Sequence, residues 1–174
     1  MVSTVDIPHA DEAKSANNLI WACEGFAYHH ADLRDRWEQY GRYTRTPLAR
    51  GALFSGADYV QAQRVRSYFR TAVAQAMAEV DVLVTPTSLT AAEKTADLDM
   101  SKRLLGVSFM GMWNLIGVPA LAVPCGFSSS GLPLSMQIVG KPFDEATVLQ
   151  AGDAYQQSVD WQLRVPPIAQ TVVA

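Results

Sequence analysis

The run from Leu104 to Gly140, LLGVSFMGMWNLIGVPALAVPCGFSSSGLPLSMQIVG, contains no Asp, Glu, Lys, Arg or His. Arg103 and Lys141 bound it. An uncharged run of this length is either a membrane span or the centre of a globular core. A spanning helix needs about 20 apolar residues without strong breakers. Here Gly106, Gly111, Gly117, Pro119, Pro124 and Gly126 interrupt the run, and the core reading is the stronger. It divides into three pieces. Leu104 to Leu115 reads as a buried helix, stopped at Gly117-Val118-Pro119, because the residue before a proline is pushed out of the α region. Ala120 to Val123 reads as a short buried strand. Leu132 to Val139 reads as a second strand with Leu134, Met136 and Ile138 on one buried face. Ser135 and Gln137 share the other, partly polar face with Val139.

The order NLIGVPALAVPCGF followed by GLPLSMQIVGKPFDEATVL resembles the C-terminal part of the amidase signature family, serine hydrolases of C–N bonds that include the amidotransferase A subunits. The resemblance extends upstream to Ala57-Asp58-Tyr59-Val60 with Arg64 and Arg66, and to Asp81-Val82-Leu83-Val84-Thr85-Pro86-Thr87. It runs from about Ala22 to Pro167. It implies a three-layer α/β/α fold with a mixed sheet, incomplete in this chain. The family's catalytic serine lies in a Gly/Ser-rich loop, with a second serine and an upstream lysine. No such loop occurs in these 174 residues. The chain therefore reads as a single partial domain, 1–174, supplying sheet core and a pocket wall, with no catalytic residue of its own. The competing reading is a non-catalytic, truncated or split relative acting as a scaffold or binding partner.

Outside the uncharged run, Val2 to Ile7 predicts a strand closed by Pro8. Ala13, Ala16, Leu19, Ile20, Cys23 and Phe26 recur at three and four residues, one face of a helix from Ala10 to about His29. Leu33, Trp37 and Tyr40 continue the spacing in a second helical piece. Gly41, Pro47, Gly51 and Gly56 predict loop or turns over 41–56. Ser55-Gly56-Ala57-Asp58 has capping-box spacing. It opens the clearest helix, with Ala62, Val65, Phe69, Ala72, Val73, Ala76, Met77 and Val80 as its buried stripe. Val82 to Val84 predicts a strand, 88–103 an exposed loop, and Asp144 the N-cap of a helix to about Ser158 with Val148, Leu149, Gly152, Tyr155 and Val159 inside. Helices alternating with short apolar strands fit an α/β sheet.

A hydrophobic fraction of 49% and a net charge of −3 describe a globular chain and argue against nucleic acid as the main partner. With only Cys23 and Cys125, far apart, and no signal peptide in the sequence, a reduced cytoplasm is expected.

Candidate chemistry has bland competitors. Ser128-Ser129-Ser130-Gly131 looks like a nucleophile loop, but its place between two strands favours a hairpin turn. Ser101 and Lys102 are adjacent and do not face each other on a helix. His29-His30 has no second ligand pair at metal spacing, so no metal is expected, and no organic cofactor is implied. Arg42, Arg45 and Arg50 read as a solvated face. Arg66 divides evenly between an ion pair and a bidentate grip on a substrate carboxylate, the latter implied by the resemblance. The resemblance also makes Val107, Met110, Gly111 and Trp113 candidate pocket-wall residues, although core is their default reading. Asn114, Gly117 and Pro119 are structural, with Asn114 expected to brace the turn. Amidotransferase A subunits carry an acid near position 107 that reads the ammonium group of glutamine. Val107 there implies an apolar or broad amide substrate. The expected partners are thus a small amide in the complete enzyme, the missing N-terminal portion, and a second copy of the chain, with no nucleic acid and no membrane.

Overall fold

The structure, a computed structural model, describes residues 2–97, 109–166 and 169. The chain divides into two compact units. The first runs to Glu79 and includes Met110–Gly117. The second holds Val80 onward, Phe109 and the chain from Val118.

The first unit is helical. Helix α1, Ala10–Asp35, is 26 residues long. It buries Ala13, Ala16, Ile20, Ala22 and Leu33. It absorbs most of the second helical piece expected around Leu33, since no breaker stands between His29 and Asp35. Trp37–Gln39 form only a 3₁₀ turn. Val2 to Ile7 forms no strand; Val2 is fully exposed and finds no edge to pair with among the described residues. Arg42–Ala49, expected as loop, is helix α2 despite Pro47. Packing overrides propensity here. Pro47 and Leu48 are buried. Arg45 holds the start of α2 by donating to the Trp37 carbonyl at 3.1 Å and to Glu38 at 2.7 Å. Its guanidinium also lies 5.0 Å from the Trp37 ring centroid. At Gly51 a Cβ would collide with the Ala22 carbonyl of α1, so the backbones meet where only glycine fits.

Helix α3, Gly56–Ala76, begins in the capping box that its sequence announces. Ser55 Oγ accepts from the Asp58 amide at 3.1 Å, and Asp58 accepts in return from the Ser55 amide at 2.9 Å. These are two of the amide donors left open where a helix begins. Of the expected stripe, Ala62, Phe69, Ala72, Val73 and Met77 are buried, while Val65, Ala76 and Val80 are only half-buried and Val80 lies beyond the helix end. Of the helix expected from Leu104 to Leu115, the described residues form only α4, Gly111–Ile116; Phe109 and Met110 lie in a bend before it, so the expected helix does not run through them. Gly117 stops it with φ 71°, and its amide donates to the Trp113 carbonyl at 2.9 Å. A left-handed residue in this place favours glycine.

The second unit is a sheet with one helix. Strands β1, Leu83–Pro86, β2, Ala120–Phe127, and β3, Pro133–Val139, lie in the order β1-β3-β2. All pairing among the described residues is antiparallel. β2 outruns the four residues expected for it. Pro124 does not end it, because among the described residues β2 has a free edge, where a missing N–H is tolerated. Its register shifts between Pro124 and Gly126. Ser128 to Gly131 is the hairpin turn, with Gly131 at φ 80°. The Ser128 amide donates to the Leu132 carbonyl at 2.8 Å.

Helix α5, Glu145–Ser158, is capped by Asp144, which accepts from the Thr147 amide. It lays Val148 against Val123 and Ile138, with Leu121, Met136 and Tyr155 around them. Gly152 lets the helix approach Leu121 closely. Leu149, expected inside, is 60% exposed, because Val148 and Gly152 take the sheet-facing side of this helix. Residues 88–97 of the expected loop are mostly exposed, with one 3₁₀ turn at Thr95–Asp97. The expectations for 98–108 lie outside the described residues, including Val107, the Ser101-Lys102 pair and the first part of the uncharged helix.

Candidate active site

Of the residues singled out above, Arg66, Met110, Gly111, Trp113, Asn114 and Gly117 fall within the described part of the first unit. Trp113 is 1% exposed and sits at the centre, with its ring 6.5 Å from that of Phe69 on α3. Its Nε1 is buried without a hydrogen-bond partner among the described residues. Gly111 stands against α1, where a Cβ would lie 2.7 Å from the Asn17 side-chain nitrogen. Met110, a core residue by default expectation, is 51% exposed at the entry to α4. Asn114, expected at a buried helix end, is exposed. In so short a helix Trp113, Leu115 and Ile116 take the whole inner side, and Asn114 is left to water. Gly117 is the helix stop. In the second unit, the Pro119 carbonyl accepts from the Gly140 amide at 2.9 Å.

Arg66 is half-buried on α3. No ion pair holds it among the described residues. Its Nη1 donates to Gln63 at 3.4 Å, and its Nε is buried without a partner. Gln63 in turn donates to the Tyr59 hydroxyl at 2.9 Å, and Tyr59 donates to Glu24 of α1 at 2.7 Å. Tyr59, Gln63 and Arg66 lie four and three apart, one face of α3. That spacing is the signal present in the sequence. The bond to Glu24, followed by burial, pushes the Tyr59 hydroxyl above its ordinary pKa. The chain of bonds thus ends in a cation whose charge is not neutralised by a protein carboxylate among the described residues. Such a group suits a bidentate anionic partner.

Four of the serines weighed above are engaged in local hydrogen bonds. Ser55 caps α3. Ser128 and Ser130 hydroxyls bond each other at 2.9 Å in the exposed turn. Ser135 pairs with Thr87 at 2.6 Å across the sheet. His29 Nδ1 lies 3.0 Å from the Tyr40 hydroxyl, and His30 Nδ1 the same distance from the Ala27 carbonyl. No group of three His, Cys, Asp or Glu able to hold a metal occurs among the described residues. No helix of the described residues is long and apolar enough to cross a membrane.

The model of the Amidase family matches residues 1–149. The chain belongs to the amidase family. It is 46% identical to the A subunit of the glutamyl-tRNA(Gln) amidotransferase of Chloroflexus aggregans, over 95% of this chain and 39% of that protein. It is 35% identical to an amidase of Pseudomonas putida, over 94% of this chain and 37% of that one. The chain thus spans well under half the length of these curated relatives. Among solved structures, an amidase superposes with a TM-score of 0.76 at 21% identity, covering 89% of this chain and 37% of that one. A protein described as part of a vestigial complex revealing the origins of an s-triazine catabolic enzyme gives the same TM-score at 25% identity, covering 90% and 36%. The amidase-signature fold expected from the sequence is therefore the fold of this chain, and the chain corresponds to part of it.

Proposed function

We propose that this chain is the C-terminal portion of an amidase-signature hydrolase acting on amide C–N bonds. Two facts together carry the reading: the family match over residues 1–149, and the span of only 37–39% of the curated relatives' length. In the complete enzyme a serine attacks the amide carbonyl. Backbone N–H groups hold the oxyanion, and a lysine with a second serine passes the proton to the leaving amine. Those residues belong to the portion of the relatives that these 174 residues do not span. This portion supplies sheet core and a share of the pocket wall, for which Met110 and Gly111 are the candidates, Trp113 being sealed in the core. Arg66 receives a carboxylate on the substrate. Val107 in place of an acid favours an apolar or broad amide over glutamine. The partners are a small amide, the catalytic portion, and a second copy of the chain docking on open strand edges, all within a cytoplasmic setting.

The 174-residue chain alone then hydrolyses neither aryl amides nor p-nitrophenyl esters. Turnover well above the buffer rate that disappears in Ser128→Ala or Ser130→Ala would move the active site to the hairpin turn and end this reading. A non-catalytic role within a complex is the second reading. It is favoured by the structural match to a protein described as belonging to a vestigial complex. Light scattering on the chain at about 100 μM, where open edges associate, tests the self-association: a clean monomer counts against it.

A further inference from the structure

Glu24, Tyr59, Gln63 and Arg66 all lie in the first unit, the last three on one face of α3. Proton counting fixes the direction of every bond between them. A carboxylate only accepts, so the one proton of the Tyr59 hydroxyl goes to Glu24, at 2.7 Å. Toward Gln63 the hydroxyl oxygen can then only accept. Gln63 therefore turns its Nε2 to Tyr59, at 2.9 Å, and its Oε1 to Arg66. The reversed amide would set its own N–H groups against a guanidinium, which accepts nothing, and its oxygen against a hydroxyl with no proton left. Glu24 on α1 thus decides, through two side chains, which atom of Gln63 faces Arg66.

The consequence falls on Arg66. A guanidinium offers a carboxylate two flat edges, Nε with Nη2 or Nη1 with Nη2. Gln63 accepts from Nη1, at 3.4 Å, the longest of the three bonds and the one that bears on the cation. Nε is buried and has no acceptor. The edge left over is Nε with Nη2. We propose that Gln63 is a positioning residue: anchored by Tyr59 and Glu24, it holds Nη1 of Arg66 and so presents the Nε–Nη2 edge to a substrate carboxylate. That a carboxylate is taken at all rests on the function proposed above; the orientation of the guanidinium does not.

The test follows the Arg66 Nε–H signal of the 174-residue chain by heteronuclear NMR. The first measurement is made without ligand. Gln63→Met removes the acceptor, and the order parameter of Nε should fall below about 0.6, the range of flexible groups. The indole N–H of Trp113, sealed in the same unit, should not change. Tyr59→Phe frees the Gln63 amide to turn and should give the same fall, so it decides alone if Gln63→Met does not fold. The second measurement is a titration with benzoate, with benzamide as the neutral control. Benzoate should move the Nε–H signal to saturation, and benzamide should not. Each variant should weaken benzoate about tenfold, the scale of one hydrogen bond to a charged group. Within Gln63→Met, adding Tyr59→Phe should change the affinity by less than about twofold, because Tyr59 acts only through Gln63. A merely structural role would make the two losses add. Unchanged Nε order in the variants, a Trp113 signal that moves with it, or additive losses overturn the proposal. A wild-type chain in which Gln63 orders Nε but benzoate does not bind upholds the positioning, and ends the carboxylate role of Arg66 instead.

Discussion

The rings of Phe69 and Trp113 meet 6.5 Å apart at an angle of 37°, and both side chains are sealed from solvent. They tie α3 to α4 at the centre of the helical unit. Trp113→Ala should cost about 3–5 kcal/mol, the range for an emptied aromatic site. Urea denaturation reads the loss. A cost below about 1 kcal/mol, typical of a surface position, would show that α4 is not where the unit is held together.

The capping box offers a test with a pH signature. Ser55→Ala should remove about 1 kcal/mol of stability at neutral pH. The Ser55 hydroxyl, then the Ser55 amide, lower the Asp58 pKa below its ordinary carboxylate value. A depressed carboxylate stabilises the fold above its unfolded pKa, and that contribution is lost as pH falls through the lower folded value. The gap between wild type and Ser55→Ala should therefore be constant above about pH 5, and narrow as pH drops through and below about 3.9, the reference Asp value. A gap that widens in acid would contradict the reciprocal bonding.

Gly51 and Gly56, on either side of the α3 cap, should behave oppositely. Gly51→Ala would force a Cβ into the Ala22 carbonyl and Phe26, so α1 must move. It should cost about 1–3 kcal/mol by overpacking. Gly56→Ala meets nothing within 4 Å and opens α3. It should be neutral or stabilising by up to about 1 kcal/mol through a stiffer unfolded chain. Thermal melts of the pair decide it, and equal midpoints would contradict the close approach at Gly51.

Tyr59→Phe should cost about 1 kcal/mol, the typical net worth of one hydrogen bond. The Tyr59 pKa is raised, chiefly by its bond to Glu24. A raised pKa means the contribution is complete below the unfolded value and is lost as pH rises through the folded one. The difference from wild type should hold to about pH 10, the reference Tyr value, and shrink above it. A difference already gone at about pH 8, well below that reference, would mean the bond to Glu24 does not form in solution.

What could be seen in the sequence was local. The Ser55–Asp58 box, the stop at Gly117, the Asp144 cap and the serine turn each depend on residues close to one another in the chain. What could not be seen depended on distant partners. Helix α2 survives Pro47 because Arg45 reaches back to Trp37 and Glu38. Gln137 falls on a partly polar face by alternation, yet its acceptors lie 28, 51 and 52 residues away. Pattern alone cannot supply such partners. At the candidate site, the resemblance pointed to Arg66. The spacing of Tyr59, Gln63 and Arg66 was present in the sequence, but Glu24, 35 residues before Tyr59, was not predictable from it.

The shifted register in β2 also limits what can join the sheet from outside. A strand arriving along that free side would find a regular ladder only from Ala120 to Val123. It would then meet Pro124, which has no N–H to offer, and the irregular step before Gly126. So short a stretch is a poor template for fibrillar stacking, which takes about six or seven residues. β2 thus carries its own terminator against runaway polymerisation, and recruitment along that side is restricted to short, matched segments.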